Sequence, residues 1–386
     1  MNGSTRPSGR RVVLAGAGHA QLYTLKHAIE FARRGHELVT IAPDHFWYSG
    51  LATGVLSGLY TPAIDKVDVE ALTRQAGGRF IRDRITEVDL TRRLVHLERG
   101  DPLSFDALSI TLGSEPHPVP GAGGVPGCYS VKPIAQICRL REEIERRLTA
   151  DPSSAPRIVV AGGGVTAVEL ASNLEALARR FGGNVRVVVL AGRGGPLRQL
   201  PPAAASLVLD ILERRGICVQ SGARVERVEP GCAILEGSGT AVAFDLFVNA
   251  TGLQPNPVLK RSGLPVDGRG AMLVDDTLRS IADPNVHGGG DCIAIRGYEL
   301  PRIGVHAIRE APILFRNLLA ALDCEPAETY APQARYLWIM NLGDETGLAV
   351  RGGLWWHGRL AFRLKDWIDR RFLREYQIAA GSDIVA

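Results

Sequence analysis

Paired cysteines, paired histidines, long apolar runs and a strong charge of either sign are missing from this sequence, and each absence excludes something. The six cysteines are scattered, with no Cys-x-x-Cys and no metal-ligand spacing, and the nine histidines form neither His-x-His nor His-x-x-x-His. A metal site is therefore not expected, and unpaired thiols fit a reducing cytoplasm. No apolar stretch approaches the roughly 18 residues needed to cross a bilayer. The net charge of +4 over 386 residues is too mild to imply a nucleic-acid partner. The opening MNGSTRPSGR, Met1 to Arg10, lacks the apolar stretch of a signal peptide and reads as a polar, disordered tail. What remains is the composition of a soluble globular chain, long enough for two to three domains.

Glycine is plentiful, at 44 residues, and its placement reveals a domain-sized repeat. RVVLAGAGHAQL (Arg11 to Leu22) is an apolar strand running through a glycine turn into a helix, and RIVVAGGGVTAVEL (Arg157 to Leu170) has the same form. Each helix leads to a second apolar strand, ELVTIAP (Glu37 to Pro43) and VRVVVLAG (Val185 to Gly192). Such runs bounded by glycine read as parallel strands covered on both faces. After a stretch of short alternating strands, each copy closes on a matching phrase, FDALSITLG (Phe105 to Gly113) and FDLFVNATG (Phe244 to Gly252). The fold class is therefore α/β, with two Rossmann-like three-layer dinucleotide-binding domains plus a small C-terminal α+β segment.

Between the copies, Ile134, Ile137, Leu140 (or Arg141), Ile144 and Leu148 fall at helical spacing, and the helix stops before the breaker cluster Asp151 to Pro156. The last fifty residues, from Tyr336, read as a hairpin and a basic amphipathic helix over Gly358 to Tyr376. Leu360, Leu364, Trp367, Ile368 and Phe372 make an apolar stripe on that helix, and arginines dominate the rest. The stripe must be buried against the chain's own core, a partner subunit or lipid; docking on the core is the expected outcome, with peripheral membrane contact as the alternative.

Gly16 and Gly18 let the backbone turn sharply and approach a pyrophosphate, which the following helix N-terminus, opened by His19, would favour. The third fingerprint position is Gln21, so helix and strand should meet less closely there. No acid ends the second strand, where Ala42 and Pro43 stand, and Asp44 is the nearest substitute as a ribose ligand. In the second copy Gly162, Gly164 and Ala167 complete the fingerprint. Its second strand ends in Ala191 and Gly192 and is followed by Arg193, which tilts the choice toward NADPH. Glu169 lies early on the helix; a carboxylate is stabilised there by ~0.3–1 kcal/mol whatever its use, so structural and catalytic readings stand level. HGGGDC (His287 to Cys292) offers Gly289 and Gly290 for close backbone approach and Asp291 for a polyol or ribose hydroxyl. Gly304 then opens a further helix, IGVHAIREAPILFRNLL.

These motifs together resemble the two-dinucleotide FAD/NAD(P)H flavoprotein reductases, the pyridine nucleotide-disulfide oxidoreductase-like proteins. The chain is most similar to the type II NADH:quinone and sulfide:quinone oxidoreductase branch. It is more similar still to the flavoprotein module fused to selenide, water dikinase, through HFWYSGLATGVLSG (His45 to Gly58), DDTLRS (Asp275 to Ser280), GVHAIRE and LKDWIDRRF (Leu364 to Phe372). The resemblance implies an FAD-binding domain in two parts, 1–130 and 266–331, around an NAD(P)H-binding domain, 131–265, with 332–386 as the C-terminal hairpin and helix. It implies that Gly16 and Gly18 hold the FAD pyrophosphate, that Thr111 and Gly113 lie by FAD, and that Ile85 meets the adenine. Asp291 would bond the ribityl chain, and Val305 would start the helix aimed at flavin O2. Gly162, Gly164, Glu169, Thr251 and Gly252 would line the nicotinamide path, and Tyr48, Ser49 and Gly50 would lie against the isoalloxazine, with Tyr48 and Glu169 nearest the chemistry.

The departures are equally informative. Disulfide reductases of this fold carry a cysteine pair beside the flavin, and His45 to Gly58 has no cysteine. The turn GGGVTAVE also lacks the cysteine that sulfide:quinone oxidoreductases carry there, and Cys292 reads as a lone small buried residue. The implied reaction is hydride transfer from NAD(P)H to FAD and onward to a diffusible small-molecule acceptor, with a quinone leading. A small sulfur, selenium or metabolite substrate, and a nucleotide-responsive interaction protein, are the alternatives left open.

Overall fold

The structure is a computed structural model that describes residues 9–377; the polar tail of the sequence lies, through residue 8, outside the described residues. Two five-stranded sheets dominate it, both wholly parallel. In the first, Arg11–Ala15 is flanked by Glu37–Ala42 on one side and Ala107–Ile110 on the other, with Arg79–Arg82 and Val286–Gly288 at the edges. In the second, Arg157–Ala161 is flanked by Arg186–Leu190 and Leu246–Asn249, with Cys218–Gln220 and Cys128–Ser130 outside. The closing phrase thus lies beside the strand of the glycine turn in both copies. Each copy also carries a three-stranded antiparallel sheet, Ile85–Asp89 with Leu94–Leu97 and Leu103–Ser104, and Val225–Glu229 with Cys232–Leu235 and Ala241–Ala243.

The first unit is discontinuous because its edge strand, Val286–Gly288, arrives only after the second unit has been completed. The chain crosses between units through two short strands, Ser114–Pro116 and Leu253–Pro255, which pair antiparallel. The linker helix runs over Ala135–Ala150 and buries Ile137, Leu140, Ile144 and Leu148. Leu140, and not Arg141, is the core residue; Arg141 instead donates to the carbonyls of Val55 and Tyr60, tying the linker to the first unit.

At the third fingerprint position Gln21 is fully buried, its Oε1 accepting from the Ser109 hydroxyl at 2.9 Å. One expectation needs correction. The C-terminal segment is a three-stranded sheet, Leu337–Asn341, Gly347–Arg351 and Leu354–Gly358, not a hairpin. Its third strand is largely solvent-exposed, so no apolar alternation marks it in the sequence, and Gly352, at φ +61°, makes the tight turn into it.

The terminal helix, Arg359–Arg374, lies within the expected range but docks with only part of the expected stripe, Phe372 packing on the core and Leu364 being half-buried. Ala361, Asp369 and Leu373 are buried, whereas Leu360 is 75 % exposed, Trp367 53 % and Ile368 38 %. Asp369 accepts from the Tyr48 hydroxyl at 2.8 Å and from Lys365 at 2.7 Å. Lys365 also donates to the Gly50 carbonyl at 2.6 Å, and Asp366 accepts from the Tyr60 hydroxyl at 2.7 Å. These polar contacts, together with Ala361, Phe362, Phe372 and Leu373 packed inward, hold the helix in this rotation.

Candidate functional site

The two glycine turns are shaped by a shared steric constraint. A side chain at Gly16 or Gly18 would stand 2.9 or 2.8 Å from the carbonyl oxygen of Thr111, and one at Gly162 would run into that of Ala250. Gly16 and Gly162 also adopt φ of +93° and +141°, where only glycine is unstrained. Thr111 and Ala250 belong to the closing phrases, so each phrase presses its backbone into the turn of its own unit. Thr111 adds a hydroxyl that accepts from the Gly18 amide at 3.3 Å.

Three helices start at these places without a capping side chain and without an acid in the first turn: His19–Lys26, Val165–Arg180 and Gly304–Asp323. Their leading amides are free for an anion, and the helix dipole favours one. Among the described α-helices Val69–Gln75 is the one with a side-chain cap, from Asp68. The residues therefore fit a pyrophosphate at Gly18, a second nucleotide at Gly164, and an electron-rich ring edge at Gly304 and Val305.

Asp291 follows Gly290 in a short 3-10 turn, where its Oδ2 accepts from Ser114 at 2.6 Å and from Lys132 at 2.8 Å. Burial opposes its charge, but Lys132 and these hydrogen bonds hold its carboxyl below the usual range. The Gly290 amide donates to Glu310 at 2.6 Å, and burial pushes the Glu310 carboxyl up to about 7. His19, at the head of its helix, touches Phe46 edge-on with ring centres 4.8 Å apart and lies 5.5 Å from Tyr48; burial pushes its imidazole down to about 4, so it is neutral.

The segment His45 to Gly50 is split by strand alternation. Phe46 and Tyr48 turn inward, and Tyr48 stacks on Phe372 of the terminal helix at 4.9 Å. Trp47 faces the Lys66 ammonium at 4.4 Å, and His45 lies by Asp68. Burial, then Asp369, hold the Tyr48 hydroxyl far above its ordinary value, so it stays protonated and donates. Ser49 is exposed, and Gly50 contributes its carbonyl to Lys365.

Glu169 joins three segments. Its Oε1 accepts from Thr53 of the first unit and from the Asn341 amide of the C-terminal sheet, both at 2.9 Å. Burial raises its carboxyl pKa, with Lys365 acting in the opposite sense. Burial also works against the Lys365 charge, but Asp369, Glu169 and Asp65 outweigh it and hold the ammonium above its ordinary value. Asp65 is wholly buried, with no partner for either carboxyl oxygen among the described residues, and burial followed by Asp369 pushes it up to about 8.

The remaining candidates are dispersed. Asp44 is half exposed and faces Arg82 at 3.5 Å. Ile85 is buried in the antiparallel sheet, paired with Leu97. Gly113, at φ +69°, accepts through its carbonyl from the Asn256 amide. Thr251 donates to Asn249 at 2.7 Å, and the Gly252 carbonyl accepts from the His117 amide. Arg193 is exposed beside an open depression that also takes in Gly164, Arg198 and Gln199, and it pairs with Glu236 at 3.1 Å. Sequence reasoning missed Lys132, Ser114, Lys365, Asp369 and Asp65. Lys132 had a legible mark, being the only charged residue between Gly127 and Cys138.

The site thus defines a protein with two dinucleotide-binding units facing a joint closed by a terminal helix. The chain belongs to the pyridine nucleotide-disulphide oxidoreductase family, which it matches over residues 10–311. It is 23 % identical over 296 residues to ferroptosis suppressor protein 1 of Taeniopygia guttata, covering 74 % of each chain. It is also 23 % identical over 367 residues to the type II NADH:quinone oxidoreductase of Haemophilus influenzae, covering 83 % of this chain and 82 % of that one. NDH2 from Plasmodium falciparum, solved in complex with NADH, shares the fold at a TM-score of 0.77 and 15 % identity, covering 95 % of this chain and 97 % of that one. The chain is a pyridine nucleotide-dependent flavoprotein oxidoreductase.

All six cysteines are unpaired. Cys292, nearest Asp291, is fully buried, with its thiol pushed up to about 12 by burial and its sulfur 3.4 Å from two backbone carbonyls. Replacing all six with serine or alanine should leave flavin reduction and acceptor reduction intact in the folded, flavin-loaded protein. Loss of acceptor reduction on any single replacement would refute this.

Asp65 generates a pH prediction. Its folded carboxyl, at about 8, binds a proton more tightly than the unfolded one at about 4. Its contribution to stability is thus fully present below about pH 4 and is lost as the pH rises through about 8. Chemical denaturation should show the parent losing stability from pH 6 to pH 8 and Asp65→Asn losing clearly less. Parallel losses in both proteins would remove Asp65 as the cause.

Proposed function

We propose that this chain is an FAD-dependent NAD(P)H:quinone reductase that works without a redox disulfide. The observation that carries the reading is the joint itself. Where a cysteine pair would relay electrons, the chain has Phe46, Tyr48 and Phe372 beside Lys365, Asp369 and Glu169: an aromatic wall with a hydroxyl donor, an ammonium donor and two carboxyl groups. A flat acceptor with two carbonyl oxygens needs this combination of stacking surface and hydrogen-bond donors. The relatives named as quinone oxidoreductases support the same acceptor class.

Bound FAD would supply the hydride- and electron-transfer chemistry between nicotinamide and acceptor, while the protein supplies orientation and electrostatics. The Gly16–Gly18 turn and its helix would hold the pyrophosphate, and Asp291 the ribityl chain. Amides of Gly304 and Val305 would meet the charge gained by the pyrimidine edge. Gly162 and Gly164 would seat the nicotinamide nucleotide. NADPH is favoured at its ribose, because Ala191 and Gly192 leave no acid there and Arg193 and Arg198 flank the depression.

Stopped-flow reduction by each nucleotide, followed by an acceptor panel, tests this. NADPH should reduce the flavin at least as well as NADH, and Arg193→Ala should raise the apparent constant for NADPH far more than for NADH. Quinones should reoxidise the enzyme fastest. Slow turnover with every acceptor and a long-lived reduced complex would favour a nucleotide-responsive interaction protein instead.

The terminal helix would also bring the acceptor entrance to a membrane surface. No helix among the described residues is long and apolar enough to cross a bilayer, so contact would be peripheral, at the cytoplasmic face. Leu360, Trp367 and Ile368 point outward among Arg359, Arg363, Arg370, Arg371 and Arg374, all exposed, as on helices that lie in a lipid interface. The parent should sediment with anionic vesicles at low salt and be released at high salt. The combination Leu360→Ser, Trp367→Ser and Ile368→Ser should lose most of that binding and keep flavin reduction. A parent that stays in the supernatant at low salt rules the contact out.

A further inference from the structure

The cofactor reading assigns Asp291 to the ribityl chain but leaves unexplained why a lysine from the other side of the joint sits on it. Lys132 belongs to the linker just after the strand Cys128–Ser130, which pairs in the second sheet. Its ammonium nonetheless reaches into the first unit, 2.8 Å from Asp291 Oδ2 and 2.9 Å from the Ser114 hydroxyl. Ser114 in turn donates to the same Oδ2 at 2.6 Å. One carboxylate oxygen is thus saturated by two donors, and Oδ1 has no protein hydrogen bond among the described residues.

We propose that Lys132 is a positioning residue for FAD: with Ser114 it holds Asp291 by one oxygen and leaves the other free to accept from a cofactor hydroxyl. The inference rests on the FAD reading of the site. A carboxylate this buried needs both a counter-charge and a fixed torsion to act as a strong acceptor. Lys132 supplies the charge, and the triangle of Lys132, Ser114 and Asp291 fixes the torsion. Since Lys132 lies on the linker and Ser114 on the crossing strand Ser114–Pro116, the triangle also ties cofactor binding to the joint between the units.

The other groups around Asp291 cannot replace this charge. His19 is neutral above about pH 4. Glu310 is an acid and adds repulsion. Arg302 donates to the Asp291 backbone carbonyl at 3.2 Å and not to its carboxylate. Without Lys132, the Ser114 hydrogen bond would remain as the main opposition to burial of Asp291, and its carboxyl would take up a proton more readily.

The test is FAD binding by the full chain after removal of its flavin, read by flavin fluorescence and not by turnover. Lys132→Met should weaken FAD binding by roughly tenfold or more, the scale of one charge-assisted hydrogen bond. Its affinity should fall further as the pH drops from 8 to 5, while the parent stays flat over that range. Lys132→Arg, which keeps the charge, should restore most of the affinity and the flat profile. Asp291→Asn should weaken binding at least as much as Lys132→Met, and the double variant should lose little more, because Lys132 acts through Asp291. Equal affinity of Lys132→Met and the parent, or additive losses in the double variant, would overturn the proposal. If Lys132→Met does not fold, Asp291→Asn and Lys132→Arg carry the test: full affinity in the former, or loss as large in the latter, overturns it. A parent that never rebinds FAD would instead remove the cofactor reading on which it rests.

Discussion

Much of this architecture depends on one backbone contact made twice: the carbonyl of the closing strand pressed into the glycine turn beside it. At Gly16 and Gly18 the intruding group is Thr111, and at Gly162 it is Ala250. A methyl group at any of these glycines would have to displace main chain, not a flexible side chain, so the turn could not form as it does. The contact explains why the phrases ending in Thr111-Leu112-Gly113 and Ala250-Thr251-Gly252 recur with the glycine turns more than eighty residues upstream. They are two halves of one cradle.

The cradle leaves each following helix without a cap. An uncapped helix start exposes orphan amides, a cost of about 1 kcal/mol relative to a capped one. No side chain caps the starts at Gly18, Gly164 and Ile303, as at most helix starts among the described residues, and what sets these three apart is their place at the glycine turns and at the helix that follows Asp291. An anion bound at any of the three would meet those amides. Occupancy and stability are then coupled, since whatever binds the folded chain and not the unfolded one shifts the folding equilibrium.

The parts that were legible in the sequence are those with a period or a repeated phrase. Parallel strands buried on both faces announce themselves as apolar runs, and the linker helix as a 3.6-residue rhythm from Ile137 to Leu148. The polar contacts of the site have neither. Tyr48 meets Asp369 across 321 residues, Lys132 meets Asp291 across 159, and Glu169 meets Asn341 across 172. Each is a single residue whose partner is set by the packing of separate units. The third C-terminal strand was hidden for a different reason: with Leu354 and Trp356 exposed and Trp355 only partly buried, apolar residues stand on both of its faces and leave no alternation.

The terminal helix shows what such unpatterned residues control. An apolar stripe by itself would be expected to turn inward. Trp367 lies two positions from both Lys365 and Asp369, hence about 200° around the helix from each, and the two groups cannot be buried together. The chain buries the charged pair, although desolvating it can cancel its Coulomb attraction. What the pair provides is orientation, through the Tyr48 hydroxyl, the Gly50 carbonyl and the neighbouring acids. Replacing it with apolar residues of similar size would leave the helix free to choose its rotation by area alone. The buried charges are thus compatible only with Leu360, Trp367 and Ile368 outside, and they keep the Lys365 donor inside at the joint where the two units meet.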